Sequence, residues 1–281
     1  MTQSKRRQKS IKKNFIISFI EEIFRSTAQG YGLSRYLAGK YFYKYLGESD
    51  FEFFKFVNKK ENKLFLDVGA NDGISALTFR LYNQDYSILS LEPDPKHNDA
   101  LNNVKKKDKK FEFQNIGLGN KNETKKLYIP ECNGVYIGQL ASLIKDEAFN
   151  NVPKIISQKN ISSKVKIIEK NIEIKTIDSM NLQPEIIKID VEGFESQVLE
   201  GAIETIKKNK PYLMIEINDV SVKKVGSLLL ELNYLIFTYE KSTKKLKSFD
   251  LNNLNLEDFV INIICINKDR KSEIDSLIEQ I

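Results

Sequence analysis

Two acid-tipped segments carry most of the chemistry open to this chain. In LFLDVGANDG, Leu64–Gly73, an apolar run leads straight into Asp67. Gly69, Ala70, Asn71, Asp72 and Gly73 then make a small turn before helical spacing begins at Ile74. A short apolar run ending in a glycine-bearing turn predicts a buried parallel strand whose loop lets the backbone approach a ligand. LSLEPDP, Leu89–Pro95, is a second apolar run, and it ends in Glu92. An acid at the tip of the second strand of a βαβ unit can accept hydrogen bonds from both hydroxyls of a ribose. Together the two segments imply a cofactor that contains adenosine.

The glycine spacing narrows the choice. A dinucleotide fold calls for G-x-G-x-x-G, so that a pyrophosphate can rest on a helix N-terminus. This loop has too few glycines and carries Asp67 and Asp72 beside the cofactor path. Acids there repel a pyrophosphate and suit a sulfonium or a cationic amino-acid tail. S-adenosylmethionine fits that pattern, and NAD does not.

A third segment, IIKIDVEGFE at Ile186–Glu195, places Lys188, Asp190 and Glu192 at every second position. A period of two puts them on one side of a strand and the turn after it. A lysine within a central strand is costly unless paired, and Asp190 is placed to pair with it. The cluster reads either as a structural ion pair or as the polar centre of the reaction. In the second reading Asp190 or Glu192 takes a proton from an acceptor hydroxyl, Lys188 tunes the base, and Glu216 stands nearby at the tip of the next strand. His97, on the helix after Glu92, is expected to be exposed and structural.

Alternating strands and helices must position these groups. Strands are expected at Lys63–Val68, Tyr86–Leu91, Phe111–Leu118, Glu185–Ile189 and Tyr212–Ile217, with an extra one over Lys125–Ile129. Helices are expected at Ile74–Tyr82, Pro95–Lys106, Phe194–Lys208 and Val220–Leu232. Two late strands, Tyr234–Tyr239 and Phe259–Ile266, lack a helix between them and read as an antiparallel pair. The pattern predicts a Rossmann-like α/β fold: a doubly wound, mostly parallel sheet of seven strands, the last antiparallel. Residues 1–60 read as a helical, aromatic-rich cap and 61–281 as the catalytic domain, with 130–170 an insertion or lid. Among the cap aromatics, Tyr41 to Tyr45 and Phe51 to Phe56, core filling is the expected role.

At 281 residues the chain can bury one full core. Its two cysteines, Cys132 and Cys265, are far apart, which suggests reduced thiols in a cytoplasmic protein. The net charge of +6 is compatible with acidic partners but does not require them. A basic start is followed by an apolar stripe, Ile16, Phe19, Ile20, Ile23 and Phe24. It is too short to span a bilayer; packing on the protein or on a second subunit is favoured over lying on a membrane surface.

The segments LFLDVGANDG, LEPDP at Leu91, IGLGN at Ile116, TIDSM at Thr176, IIKIDVEGFESQVLEGA at Ile186 and PYLMIEIN at Pro211 resemble the FkbM family of S-adenosylmethionine-dependent methyltransferases. The resemblance runs from about Lys63 to Glu240. It implies that Asp67, Gly69, Ala70 and Asn71 hold the methionine end, with Asp72 and Gly73 completing the loop. Glu92 would hold the ribose, and Asn115, Ile116 and Gly117 would border the adenine. It also implies an O-methyltransferase for a small-molecule, glycan or lipid hydroxyl. Asp190, Glu216 and Asn218 resemble the ligand set of catechol-type methyltransferases, and such oxygen ligands would suit Mg²⁺, although a metal is not the expected cofactor. An RNA ribose methyltransferase is the alternative. Glu216 stands where those enzymes use a lysine, which argues against nucleic acid. A module that binds a cofactor or partner without turnover is the other alternative.

Overall fold

Alternate residues along the central strands bury into two separate apolar clusters. The computed structural model describes residues 30, 49–57, 64–156, 164–218, 221–250 and 260–279. The expected stripe at Ile16–Phe24 and the aromatics Tyr41–Tyr45 lie outside these residues. The chain divides into two compact units, Tyr43–Lys125 with Asn171–Ile281, and Met1–Phe42 with Lys126–Lys170.

The strands are β1 (Leu64–Val68), β2 (Ser87–Leu91), β3 (Phe111–Gln114), β4 (Gly117–Leu118), β5 (Glu123–Cys132), β6 (Val135–Tyr136), β7 (Val165–Lys175), β8 (Ile186–Ile189), β9 (Tyr212–Asn218), β10 (Tyr234–Glu240), β11 (Lys245–Ser248) and β12 (Val260–Asn267). The α-helices are α1 (Ile74–Tyr82), α2 (Asn98–Lys107), α3 (Lys145–Asn150), α4 (Val152–Ile155), α5 (Glu195–Glu200), α6 (Ile203–Asn209) and α7 (Val222–Glu231).

In the larger unit eight strands form one sheet in the order β11-β10-β12-β9-β8-β1-β2-β3. Neighbours from β9 to β3 run parallel, while β12 is antiparallel to both β9 and β10. Phe65 of β1 and Ile186 of β8 face one side, where Phe79 of α1, Leu101 of α2 and Phe51, Phe53 and Phe54 fill the core. Leu66, Val68, Ile187 and Ile189 face the other side, against Val198 and Leu199 of α5, Ile206 of α6 and Leu229 of α7. Helices therefore cover both faces, which is the expected double winding. The Phe65 and Phe79 rings stack at 4.0 Å. Each such buried phenylalanine contributes about 1.5–3 kcal/mol.

Several expectations needed correcting. The sheet has eight strands rather than seven, because Lys245–Ser248 adds an edge beside β10. The expected third strand breaks after Gln114, and Gly117–Leu118 pairs with Ile174–Lys175 of β7 instead. The single helix expected over Phe194–Lys208 is two helices. The backbone turns at Gly201, where a β-carbon would collide with the Gly119 carbonyl. The Asp178 carboxylate then accepts from the amides of Glu204 and Thr205, capping α6 from outside its own chain segment.

The smaller unit has its own core of Cys132, Ile137, Leu140, Val152 and Ile156. Within it β5 and β6 pair around Asn133–Gly134, both with positive φ, as a two-residue hairpin loop requires.

Candidate active site

The carboxyl ends of β1, β2, β8 and β9 bring the sequence motifs together. Register places Asp67 beside Ser90 of β2 on one side and Lys188 of β8 on the other. Asp67 is fully buried. Its Oδ2 accepts from the Ser75 hydroxyl at 2.7 Å and the Ser90 hydroxyl at 2.8 Å, while Oδ1 is buried without a hydrogen-bond partner. Asp67 thus lies under the loop it introduces, tying β2 and the first turn of α1 to β1. Neither serine stood out in the sequence, because an isolated Ser carries no pattern.

Above it the loop is held by its backbone. The amides of Gly69 and Ala70 both donate to the Leu91 carbonyl, at 3.0 and 3.2 Å. Gly69, Asn71 and Gly73 adopt positive φ. Gly73 precedes α1, and no side chain caps that helix. An uncapped N-terminus carries partial positive charge, so it suits a carboxylate.

Glu92 is buried at the tip of β2. Its Oε2 accepts from the Asn71 amide and its Oε1 from the Asp94 amide, each at 2.9 Å. Burial raises its pKa, against the pull of His97 and of the two amides. Asn115 donates to the Glu92 carbonyl at 3.1 Å and is exposed, while Ile116 and Gly117 are buried. A β-carbon on Gly117 would press on Ile174.

His97 departs from expectation. It is 6% exposed, not a surface residue, and its Nδ1 lies 2.7 Å from Asp72 Oδ1. Pro95 starts a short 3-10 turn that swings the ring inward beneath Asp72, an orientation that residue spacing does not disclose.

At the tip of β8 the Lys188 ammonium, 3% exposed, donates to Asp190 Oδ2 at 2.9 Å. Two further carboxyls crowd that pair. Burial, and then the Asp190 charge, pushes the Glu216 pKa up to about 9, with a hydrogen bond to Asp190. Burial, then Asp190 and Glu195, pushes Glu192 up to about 8. Glu192 is nevertheless exposed, so solvent screens its charge, and Glu216 is the better insulated of the two. Glu216 therefore favours its neutral form near neutral pH, beside the Lys188–Asp190 ion pair. Glu195, which sequence reading passed over, is buried and accepts from the Gly193 amide at 2.9 Å, bracing the turn that holds Glu192 at positive φ.

Asn218 closes a reciprocal pair of bonds with Ser221. Among the described residues no group of three or more His, Cys, Asp or Glu is arranged to hold a metal ion. A cavity of about 390 Å³ lies along β2 and β3, lined by Leu89, Gln114, Asn122, Ser179 and Met180 among others; none of the predicted site residues lines it.

An open, doubly wound sheet with acid-bearing loops at its carboxyl edge defines a Rossmann-like α/β protein. Residues 67–246 match the methyltransferase FkbM domain, and the chain belongs to the FkbM methyltransferase family. Among solved structures it is similar to a methyltransferase FkbM from Methylobacillus flagellatus KT, with 15% identity and a TM-score of 0.46 over 75% of this chain and 44% of that one. It is also similar to a precorrin-6y C5,15-methyltransferase from Geobacter metallireducens GS-15, with 10% identity and a TM-score of 0.40 over 78% of this chain and 86% of that one. A third similarity is to the plantazolicin methyltransferase BamL, solved with a triazolic desmethylPZN analog and SAH. Identity there is 12% and the TM-score 0.40, over 88% of this chain and 97% of that one. This chain spans less than half the length of the Methylobacillus chain. No curated protein matches it.

Proposed function

We propose that this protein is an S-adenosylmethionine-dependent O-methyltransferase acting on a hydroxyl of a sugar, glycan, lipid or natural product. The observation that carries the cofactor is the buried, unpartnered Oδ1 of Asp67 beneath a loop bounded by Asp72 and Glu92. An orphaned carboxylate oxygen is costly, and a cationic donor relieves it. The same acids oppose a pyrophosphate, so the residues fit this cofactor and not a dinucleotide.

When bound, the cofactor supplies an electrophilic methyl group. The chain's own residues do the rest. Glu92 retains lone pairs for ribose hydroxyls after accepting its two amides. The uncapped start of α1 suits the methionine carboxylate. Gly69, Ala70 and Asn71 present backbone along the cofactor, and Asn115 to Gly117 border its base. Asp190, held by Lys188, takes the proton of the acceptor hydroxyl, while Glu216, whose charge burial disfavours, keeps further negative charge out of the centre. A hydroxyl needs such a base, because it must lose its proton as the new bond forms. Alignment supplies on the order of 7–11 kcal/mol of the barrier reduction.

The acceptor is drawn from small molecules, glycans and lipids. Among the described residues no helix is long and apolar enough to cross a membrane. The test is to supply S-adenosylmethionine labelled in its methyl group with panels of glycan, lipid and polyketide-like alcohols and to follow the label by mass spectrometry. Transfer to an oxygen supports the reading; transfer only to nitrogen or carbon would overturn it.

A further inference from the structure

The chain holds a single histidine, and it is buried against the cofactor loop. Four contacts close a ring through it. The Asn71 amide donates to Glu92 Oε2, and the next residue, Asp72, meets His97 Nδ1. The His97 amide donates to the Asp94 carbonyl at 3.1 Å, and the Asp94 amide donates back to Glu92 Oε1. The ring thus joins the loop after β1 to the loop after β2 on either side of the acid assigned to the ribose. His97 Nε2 is also buried and has no hydrogen-bond partner.

We propose that His97 is a positioning residue for the cofactor, its imidazolium clamping Asp72 and so fixing the loop whose Asn71 amide meets Glu92, which makes cofactor affinity depend on its protonation. This rests on the cofactor reading above. The charges facing the ring are Asp72 from the loop after β1, and Glu92 and Asp94 from the loop after β2, all of them acids. Burial by itself would lower the imidazole pKa, but the Asp72 hydrogen bond and the charges of Glu92, Asp72 and Asp94 outweigh it and raise the pKa. Glu92, whose burial favours the neutral acid, is in turn pulled toward its charged form by His97. Losing the His97 proton therefore removes the charge that clamps Asp72 and loosens the loop that presents the Asn71 amide to Glu92.

Binding and protonation must then be linked reciprocally: a ligand that prefers the protonated form raises the imidazole pKa by the same free energy. Because there is one histidine, the ring resonances of tag-free, ¹⁵N-labelled protein belong to it alone. The experiment titrates that ring by NMR, free and saturated with S-adenosylhomocysteine, and measures the affinity for the same ligand across the pH range by calorimetry. Wild type should lose about fivefold to tenfold in affinity as pH rises through the imidazole titration, the effect of one neighbouring charge. The titration should move upward on binding by the matching amount. His97→Gln should bind more weakly at low pH and lose the slope. It should weaken 5′-methylthioadenosine, which keeps the ribose but lacks the amino-acid end, by the same factor. Asp72→Asn keeps the ring, should lower its titration and flatten the slope, and carries the test if His97→Gln does not fold.

An imidazole that titrates identically in free and bound protein, with Asp72→Asn matching wild type in affinity at every pH, would overturn the inference while leaving the cofactor assignment standing. Absence of binding by wild type at any pH would instead remove the cofactor reading, and the inference with it.

Discussion

Gly69 of the first motif lies directly against Asp190 of the third: a β-carbon on Gly69 would collide with the Asp190 carbonyl oxygen. The two sequence signatures, far apart along the chain, are thereby in backbone contact, and Gly69 also sits at a φ of 82°. Gly69→Ala should destabilise by about 3 kcal/mol or more, since strain and collision add. Gly134→Ala is the control, with a φ of 77° but nothing within 4 Å of the added carbon. It should cost only about 1 kcal/mol, from left-handed strain alone. Urea unfolding of both variants separates collision from conformational strain.

The base assignment makes a second prediction. Asp190→Asn should lower kcat by about 10²–10⁴-fold while S-adenosylhomocysteine affinity changes little. Glu216→Gln, which mimics the neutral acid already present, should retain most of the activity. Steady-state kinetics on a single acceptor, with binding measured in parallel, checks both; near-normal turnover by Asp190→Asn would transfer the role elsewhere.

Stability should depend on pH with a definite sign. Unfolded, Glu216 titrates near an ordinary 4.5; folded, it holds its proton up to about 9. The folded state therefore binds more protons between those limits, so its advantage is full below the unfolded value and is lost as pH rises through the folded one. His97, raised above its ordinary 6.5, acts in the same sense. The melting temperature should fall as the solution goes from neutral to alkaline. Glu216→Gln should flatten the fall, and a rise on the alkaline side would contradict the desolvation of Glu216 and the ion pairing of His97.

At the opposite edge of the sheet the Arg270 guanidinium bonds Glu185 at 2.6 Å and Glu273 at 2.9 Å, with both Arg270 and Glu185 buried. Removing one partner strands the other in a site of low dielectric. Arg270→Ala should cost about 3–5 kcal/mol in chemical unfolding and leave cofactor affinity within error at low temperature.

Strands β1, β2, β8 and β9 were legible because buried parallel strands are continuous apolar runs, and Asp67, Glu92 and Lys188 stood out against them. The edge strand KLKS at Lys245 was not, since a short strand half made of lysine has no apolar run to detect. Alternation in IEIK at Ile172, just past the expected 130–170 insertion, did carry a signal for β7 that no expected strand took up, while the strand's first half lay inside that insertion. The paired roles of Phe53 and Phe54 as core were expected, and both are fully buried. Ser75, Ser90, Glu195 and the inward turn of His97 depend on which way a side chain faces after the strand tips meet. Residue spacing does not encode that.

In the proposed binding mode the cofactor rests its ribose on Glu92 and its cationic end above Asp67. Calorimetric titration of S-adenosylhomocysteine into wild type and Glu92→Ala, with NAD as the competing ligand, tests it most directly. Saturable binding to wild type is expected, weakened by about 10–100-fold in Glu92→Ala from the loss of charge-assisted hydrogen bonds, with no displacement by NAD. Equal affinity in the two proteins, or displacement by NAD, would contradict it.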